Sequence, residues 1–395
     1  MFGAQVSACC FIAPFPAFLT SKYGAQGTAV CGVFLATIGW KVAGLAYIFP
    51  DYGLVFLLIG QSVCVGAGYG IMYVAALLGL NQAFFNSSGH GLANGFATSG
   101  SGVGQAGLVV LLNKSLTGLG LKPSYNLVLP LLCLGCGLLA LFFLPGKKEA
   151  TTSPVDTEAV ALPTTEEEQG SPGLLWTIIL GRKIAKHKLH KLFAGAMFAD
   201  FMAVVAIYLP YDFLFPLAEG AGFLTSDAHF LLVPIGLASM GGRILAGVLC
   251  SCFSTNLWLP LYLTCGTLAL AAPFPALLPL YLLPGSPELT CVCCCLGLFT
   301  GAWIATTSPL IISVLGHDLL DAAFSRLTFV RGLAAFLGPQ LANLDAAAEF
   351  PFYLGSISFG VASVMFLLIA LYYHCCTNAG EEEMHTGLRW SILTL

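Results

Sequence analysis

Apolar runs about as long as a bilayer is thick recur some eleven times along this 395-residue chain and leave few folds open to it. Hydrocarbon offers no water to backbone N–H and C=O groups, so each run folds as a helix that satisfies its own hydrogen bonds. The runs fall at roughly 4–20, 28–49, 53–80, 92–112, 126–145, 192–215, 228–250, 257–283, 289–315, 323–345 and 350–374. Charged side chains make up 9% of the chain, against about 25% in soluble domains. Mean hydropathy is +0.88. The fold class is all-α, a polytopic membrane protein.

Five runs precede and six follow a polar stretch at 146–191. That stretch carries Pro154, Pro163, Pro172 and the run Glu166-Glu167-Glu168, too little apolar surface to fold, and it reads as a linker. The division is then an N-terminal helical half (1–145), a linker (146–191), a C-terminal half (192–374) and a tail (375–395). With the linker inside, ten basic residues face the cytoplasm: Lys22, Lys147, Lys148, Arg182, Lys183, Lys186, Lys188, Lys191, Arg326 and Arg389. Only Lys114 and Lys122 face outward, which orients the linker and tail to the cytoplasm and the N-terminus outside. The odd helix count suggests a six-plus-six plan lacking its first helix, either a truncated gene model or a real short form.

Most of the fifteen cysteines lie inside apolar runs, as Cys291 and Cys293-Cys294-Cys295 do, where they read as packing residues. Cys375-Cys376, at a cytoplasmic span end, has palmitoylation as a second reading. No metal-ligand spacing, nucleotide loop or hydrolase triad is visible, so no cofactor is expected.

Glycine and proline recur within the runs of both halves, a density suited to helices that bend and slide around a cavity. Against that background the charges inside the runs stand out. Arg243 lies in HFLLVPIGLASMGGRILAGVLCS, where a guanidinium costs about 2.5–3.5 kcal/mol on insertion scales. Its planar five-donor fork matches a carboxylate, so it reads as the anchor of a small organic anion, with a structural ion pair as the other reading. Asp200, about 12 Å deep at 1.5 Å per residue, lies level with Arg243 at about 10 Å. It reads as a proton-binding counter-charge to Arg243, or as a vestibule residue. Arg331 reads equally as a substrate contact or as paired with Asp318 or Asp321. Lys41 follows Trp40 in mid-span and lines the cavity or snorkels. His229 and His317 sit near span ends, where exposure is the plain reading. Tyr73 and Trp303 are candidate pocket walls.

Three stretches resemble the monocarboxylate transporters, a branch of the major facilitator superfamily. Leu92-Ala93-Asn94-Gly95, followed by Ala97, Gly100 and Gly104, matches that family's LAxGxAxAGxxxG pattern, with Ser99 in place of an Ala. VLGHDLLDAAFSRLTFVRGLAAFLGPQLAN is similar to its penultimate helix, including Asp318, Arg331-Gly332 and Gly338-Pro339. PIGLASMGGRILAG looks like the helix bearing its essential arginine. More weakly, Phe18 to Gly24 is similar to the short basic loop closing the superfamily's second helix. The departures are an absent first-helix signature, with its lysine, and Ser239 where proton-coupled members carry an Asp.

The resemblance implies a major facilitator bundle of two helical halves with about eleven helices. It implies alternating-access transport, not enzymatic chemistry, of a small organic anion, first a monocarboxylate, with a proton as candidate co-substrate. Arg243, Ser239, Asp200, Arg331, Tyr73 and Trp303 are the substrate-site candidates. Gly95, Gly100, Gly104, Asp318, Gly338 and Pro339 are the gating or structural ones. The expected surroundings are the lipid bilayer, by default the plasma membrane, and a single-span glycoprotein chaperone. A facilitative carrier of aromatic amino acids or iodothyronines, and a non-transporting sensor or scaffold, are the alternatives. A channel lacks its charge rings or filter here.

Overall fold

The computed structural model describes residues 2–84, 87, 89–118, 120, 124–143, 184, 190–253, 256, 258–316, 319–344 and 347–393. They form α1 (Phe2–Phe11), α2 (Pro14–Gly44), α3 (Gly53–Leu57), α4 (Gly66–Ala83), α5 (His90–Gly118), α6 (Leu129–Phe143) and α7 (His190–Gly220). After these come α8 (Thr225–Phe230), α9 (Leu232–Cys252), α10 (Leu259–Ala271), α11 (Pro273–Leu280), α12 (Pro287–Leu315), α13 (Leu320–Ala342) and α14 (Phe350–Leu393). No strand occurs among the described residues. Seven described helical stretches are long and apolar enough to cross a membrane. Most of the linker, with Arg182, Lys183, Lys186 and Lys188, lies outside the described residues, as do His317 and Asp318.

The helices depart from the expected runs where backbone chemistry intervenes. The first connection is not a loop of several residues. α2 passes through it and breaks only at Gly24, whose φ of 77° suits a residue without Cβ. Lys41 lies in the last turn of α2, which ends at Gly44, where its charge complements the helix C-terminus. Its Nζ donates to the Asn126 carbonyl. The run at 257–283 is two helices, because Pro273 brings no N–H to continue α10. Between α3 and α4 the backbone widens into a π-helix, Leu58–Val65.

The chain divides into two compact units. The first comprises Met1–Phe85, Gly118–His190 and Leu315–Gly332. Lipid tails are as apolar as leucine, so helices gain contact by letting backbones approach, and glycine is where that happens. A methyl on Gly32 of α2 would stand 2.7 Å from the Gly68 carbonyl oxygen of α4, and one on Gly39 would stand 2.7 Å from that of Gly60. Trp40 Nε1 donates to Tyr69 Oη at 3.2 Å, and Tyr69 Oη lies 3.7 Å from Cys133 Sγ, linking α2, α4 and α6. The start of α13 packs here too, with Phe329 on Phe11 (ring centroids 5.5 Å apart) and Phe324 on Tyr73 (6.3 Å).

The second unit comprises Asn86–Thr117, Lys191–Val314 and Leu333–Leu395, so α5 belongs with α7 to α12. Hydroxyls join its helices where glycine does not. Thr264 and Thr306 share a 2.8 Å hydrogen bond between α10 and α12. Ser363 Oγ donates to the Cys265 carbonyl at 3.0 Å, and Ser356 Oγ accepts from Ala276 N at 2.9 Å, fixing α14 to α10 and α11. The described cysteines, including Cys291 and Cys293 to Cys295, form no disulfide.

A candidate anion site on helix α9

Helix α9 is built to be approached from two sides. Glycines of α12 meet one stripe of it. A methyl on Gly301 would stand 2.7 Å from the Ser239 Cα, one on Gly297 would stand 2.9 Å from the Ile235 Cα, and Ala246 packs on Ala302 and Ala305. Glycines of α5 meet the next stripe. A methyl on Gly95 would stand 2.6 Å from the Arg243 carbonyl oxygen and 2.9 Å from the Gly247 Cα. Two turns along, one on Gly102 would stand 2.6 Å from the Gly236 carbonyl oxygen. Positions 236, 240, 243 and 247 recur at the 3–4 residue spacing of one helix face, so Arg243 is presented to α5 between two backbone contacts.

Arg243 is 8% exposed, and its Nη1 donates to the Thr98 carbonyl and to Ser101 Oγ. Ser101 Oγ donates to the same Thr98 carbonyl at 3.0 Å, while Thr98 Oγ1 turns back to the Asn94 carbonyl at 2.7 Å. Asn94, 1% exposed, donates through Nδ2 to the Ala305 carbonyl at 2.9 Å, which ties α5 to α12. Gln105 Nε2 reaches the Leu232 carbonyl at 3.4 Å and hydrogen-bonds Tyr211, which lies within the field of Arg243. Ser251 Oγ accepts from Leu92 N at 2.7 Å and secures the start of α5. The two acceptors on α5 supply lone pairs without formal charge. A carboxylate makes stronger, bidentate hydrogen bonds to the same fork.

The other candidates distribute as follows. Ser239 is buried one turn before Arg243, its backbone against Gly301. Asp200 is buried on α7, eleven residues before Tyr211, about 16 Å along the helix axis. Trp303 is buried on α12, its carbonyl accepting from Thr306 Oγ1 at 2.7 Å. Tyr73 and Arg331 belong to the first unit. Tyr73 packs on Ala13, Val74 and Leu78, a hydrophobic setting. Arg331 is buried in α13, ten residues beyond Asp321 on one continuous helix, about 15 Å and farther than the two side chains span. Direct pairing of Arg331 with Asp321 is thereby excluded, and the alternative, Asp318, lies outside the described residues. In the first turn of α13, ahead of the apolar run at 323–345, burial pushes the Asp321 carboxyl up while the Asn81 amide draws it partly back. His229 is exposed and stacks on Phe215 at 4.2 Å.

The glycines separate sharply. Gly95 is held against α9, whereas methyls on Gly100 and Gly104 would meet nothing within 4 Å. Gly338 lies at ordinary contact, 3.5 Å from Val205, and Pro339 sits inside α13. Thr98, Ser101 and Asn94 are the site residues that sequence reasoning passed over. Their signal was small polar residues three and four apart, interleaved with two glycines seven apart.

The Major Facilitator Superfamily pattern matches residues 1–339. Monocarboxylate transporter 10 of Mus musculus is 25% identical, covering 96% of this chain and 72% of that protein. Monocarboxylate transporter 12-B of Danio rerio is 23% identical, covering 94% and 78%. Monocarboxylate transporter 14 of Homo sapiens is 21% identical, covering 91% and 79%. Among solved structures, the human organic anion transporter MFSD10 (TETRAN) superposes with a TM-score of 0.62 at 14% identity, covering 93% and 82%. The transporter FucP in the outward conformation gives 0.58 at 15% identity, covering 93% and 89%.

Proposed function

This chain belongs to the Major Facilitator Superfamily, membrane transporters and not enzymes, and on that premise we propose that it carries a small organic anion, first a monocarboxylate, by alternating access. The observation that carries this reading is Arg243, buried in glycine-packed α9 with its Nη1 donating to the Thr98 carbonyl and Ser101 Oγ of α5. A cation kept at that depth favours an anionic ligand, and the fork geometry selects a carboxylate. The similarity to monocarboxylate transporters supports the same substrate class. Asp200 is the proposed proton site, and the cytoplasmic linker between two helical halves is the proposed domain plan. A plasma-membrane setting and a glycoprotein chaperone are part of the same proposal.

Counterflow into proteoliposomes, with pyruvate, lactate and phenylalanine as competing solutes, tests the reading. Saturable pyruvate or lactate exchange that Arg243→Gln abolishes supports it. Exchange of phenylalanine alone favours the facilitative carrier of aromatic amino acids, for which Ser239 in place of an acid is the supporting feature. No exchange of any solute favours the non-transporting sensor or scaffold.

A further inference from the structure

The two acceptors of Arg243 Nη1 sit on a helix other than its own. The Thr98 carbonyl, Ser101 Oγ and the guanidinium close a three-member ring between α5 and α9. Above and below the ring, Gly95 and Gly102 hold the two backbones together. Ser101 is exposed where Arg243 is buried, and Gly100 and Gly104 beside it leave open space.

We infer that Ser101 is a positioning residue, an internal stand-in for the substrate carboxylate that holds Arg243 on α5 until an anion displaces it. The inference rests on the reading of Arg243 as carboxylate anchor. A hydroxyl and a carbonyl are neutral acceptors, and a carboxylate bonds the same donors about twice as strongly. A substrate oxygen that takes the Nη1 donors replaces bonds that joined α5 to α9, so binding there loosens that helix pair. The linkage is reciprocal: weakening the stand-in tightens the substrate. A direct substrate contact at Ser101 behaves in the opposite way.

The test uses the full chain in proteoliposomes with labelled pyruvate, beside thermal unfolding of the substrate-free protein. Ser101→Ala is expected to lower the half-saturating pyruvate concentration about tenfold, the size one net charge-assisted hydrogen bond sets. Ser101→Thr, which keeps the hydroxyl, is expected to restore it. Without substrate, Ser101→Ala and Arg243→Gln are expected to be non-additive in their effect on unfolding. If Ser101→Ala does not fold, Ser101→Cys, a weaker acceptor, is expected to shift half-saturation in the same direction. An unchanged or raised half-saturation overturns the inference. If Arg243→Gln is inactive while Ser101→Ala is unaltered, the inference alone falls. If the wild type shows no saturable pyruvate exchange while the unfolding cycle stays non-additive, the anion reading fails and takes the inference with it.

Discussion

Gly102 of α5 and Gly236 of α9 meet backbone to backbone, each leaving less than 3.0 Å for a methyl on the other, and this contact sets the height at which Arg243 meets Ser101. Helices held by such contacts have no slack at the contact and ample slack beside it.

A methyl at each α5 glycine therefore has a different consequence. Gly95→Ala and Gly102→Ala are expected to cost about 1–3 kcal/mol of stability through overpacking and to reduce transport. Gly100→Ala and Gly104→Ala, facing open space, are expected to be neutral or to gain up to about 1 kcal/mol of helix propensity. Thermal unfolding in detergent of the four variants distinguishes the two pairs.

Asp321 gives a stability effect with a definite sign. Its carboxyl is pushed up by burial, so the folded protein holds that proton to higher pH than the unfolded chain does. The native state then loses stability as pH rises from the usual carboxylate range through the raised value. Asp321→Asn is expected to be more stable than the wild type at pH 7 and above, the difference vanishing in acid. Melting curves at pH 4 and pH 8 check this.

Asp200→Asn addresses the proposed proton coupling. Acid-stimulated pyruvate uptake is expected to weaken while exchange at saturating substrate persists. Unchanged pH dependence in the variant assigns the proton elsewhere.

The all-helical membrane fold was legible because apolar runs of bilayer length admit one backbone solution, and the burial of Arg243 was legible because it lies inside such a run. The positions of its partners were not. Thr98 and Ser101 meet Arg243 only because glycines more than 130 residues apart in the chain, Gly95 with Gly247 and Gly102 with Gly236, set the register between α5 and α9. Periodicity within one helix carries no information about that register. Proline was equally ambiguous: Pro210 and Pro216 lie inside a continuous α7, while Pro273 starts a new helix within one span. Which outcome occurs depends on how the surrounding helices satisfy the released carbonyls. Depth counted along the run at 28–49 also misplaced Lys41, because the α-helix ends at Gly44, inside that run, and a 3-10 turn follows.

Pyruvate counterflow by Arg243→Gln, beside a wild type of equal abundance in the membrane, tests the assignment of the site most directly. Loss of at least about tenfold in exchange, with the variant still folded, is the result expected of a carboxylate anchor. Exchange within twofold of the wild type contradicts it.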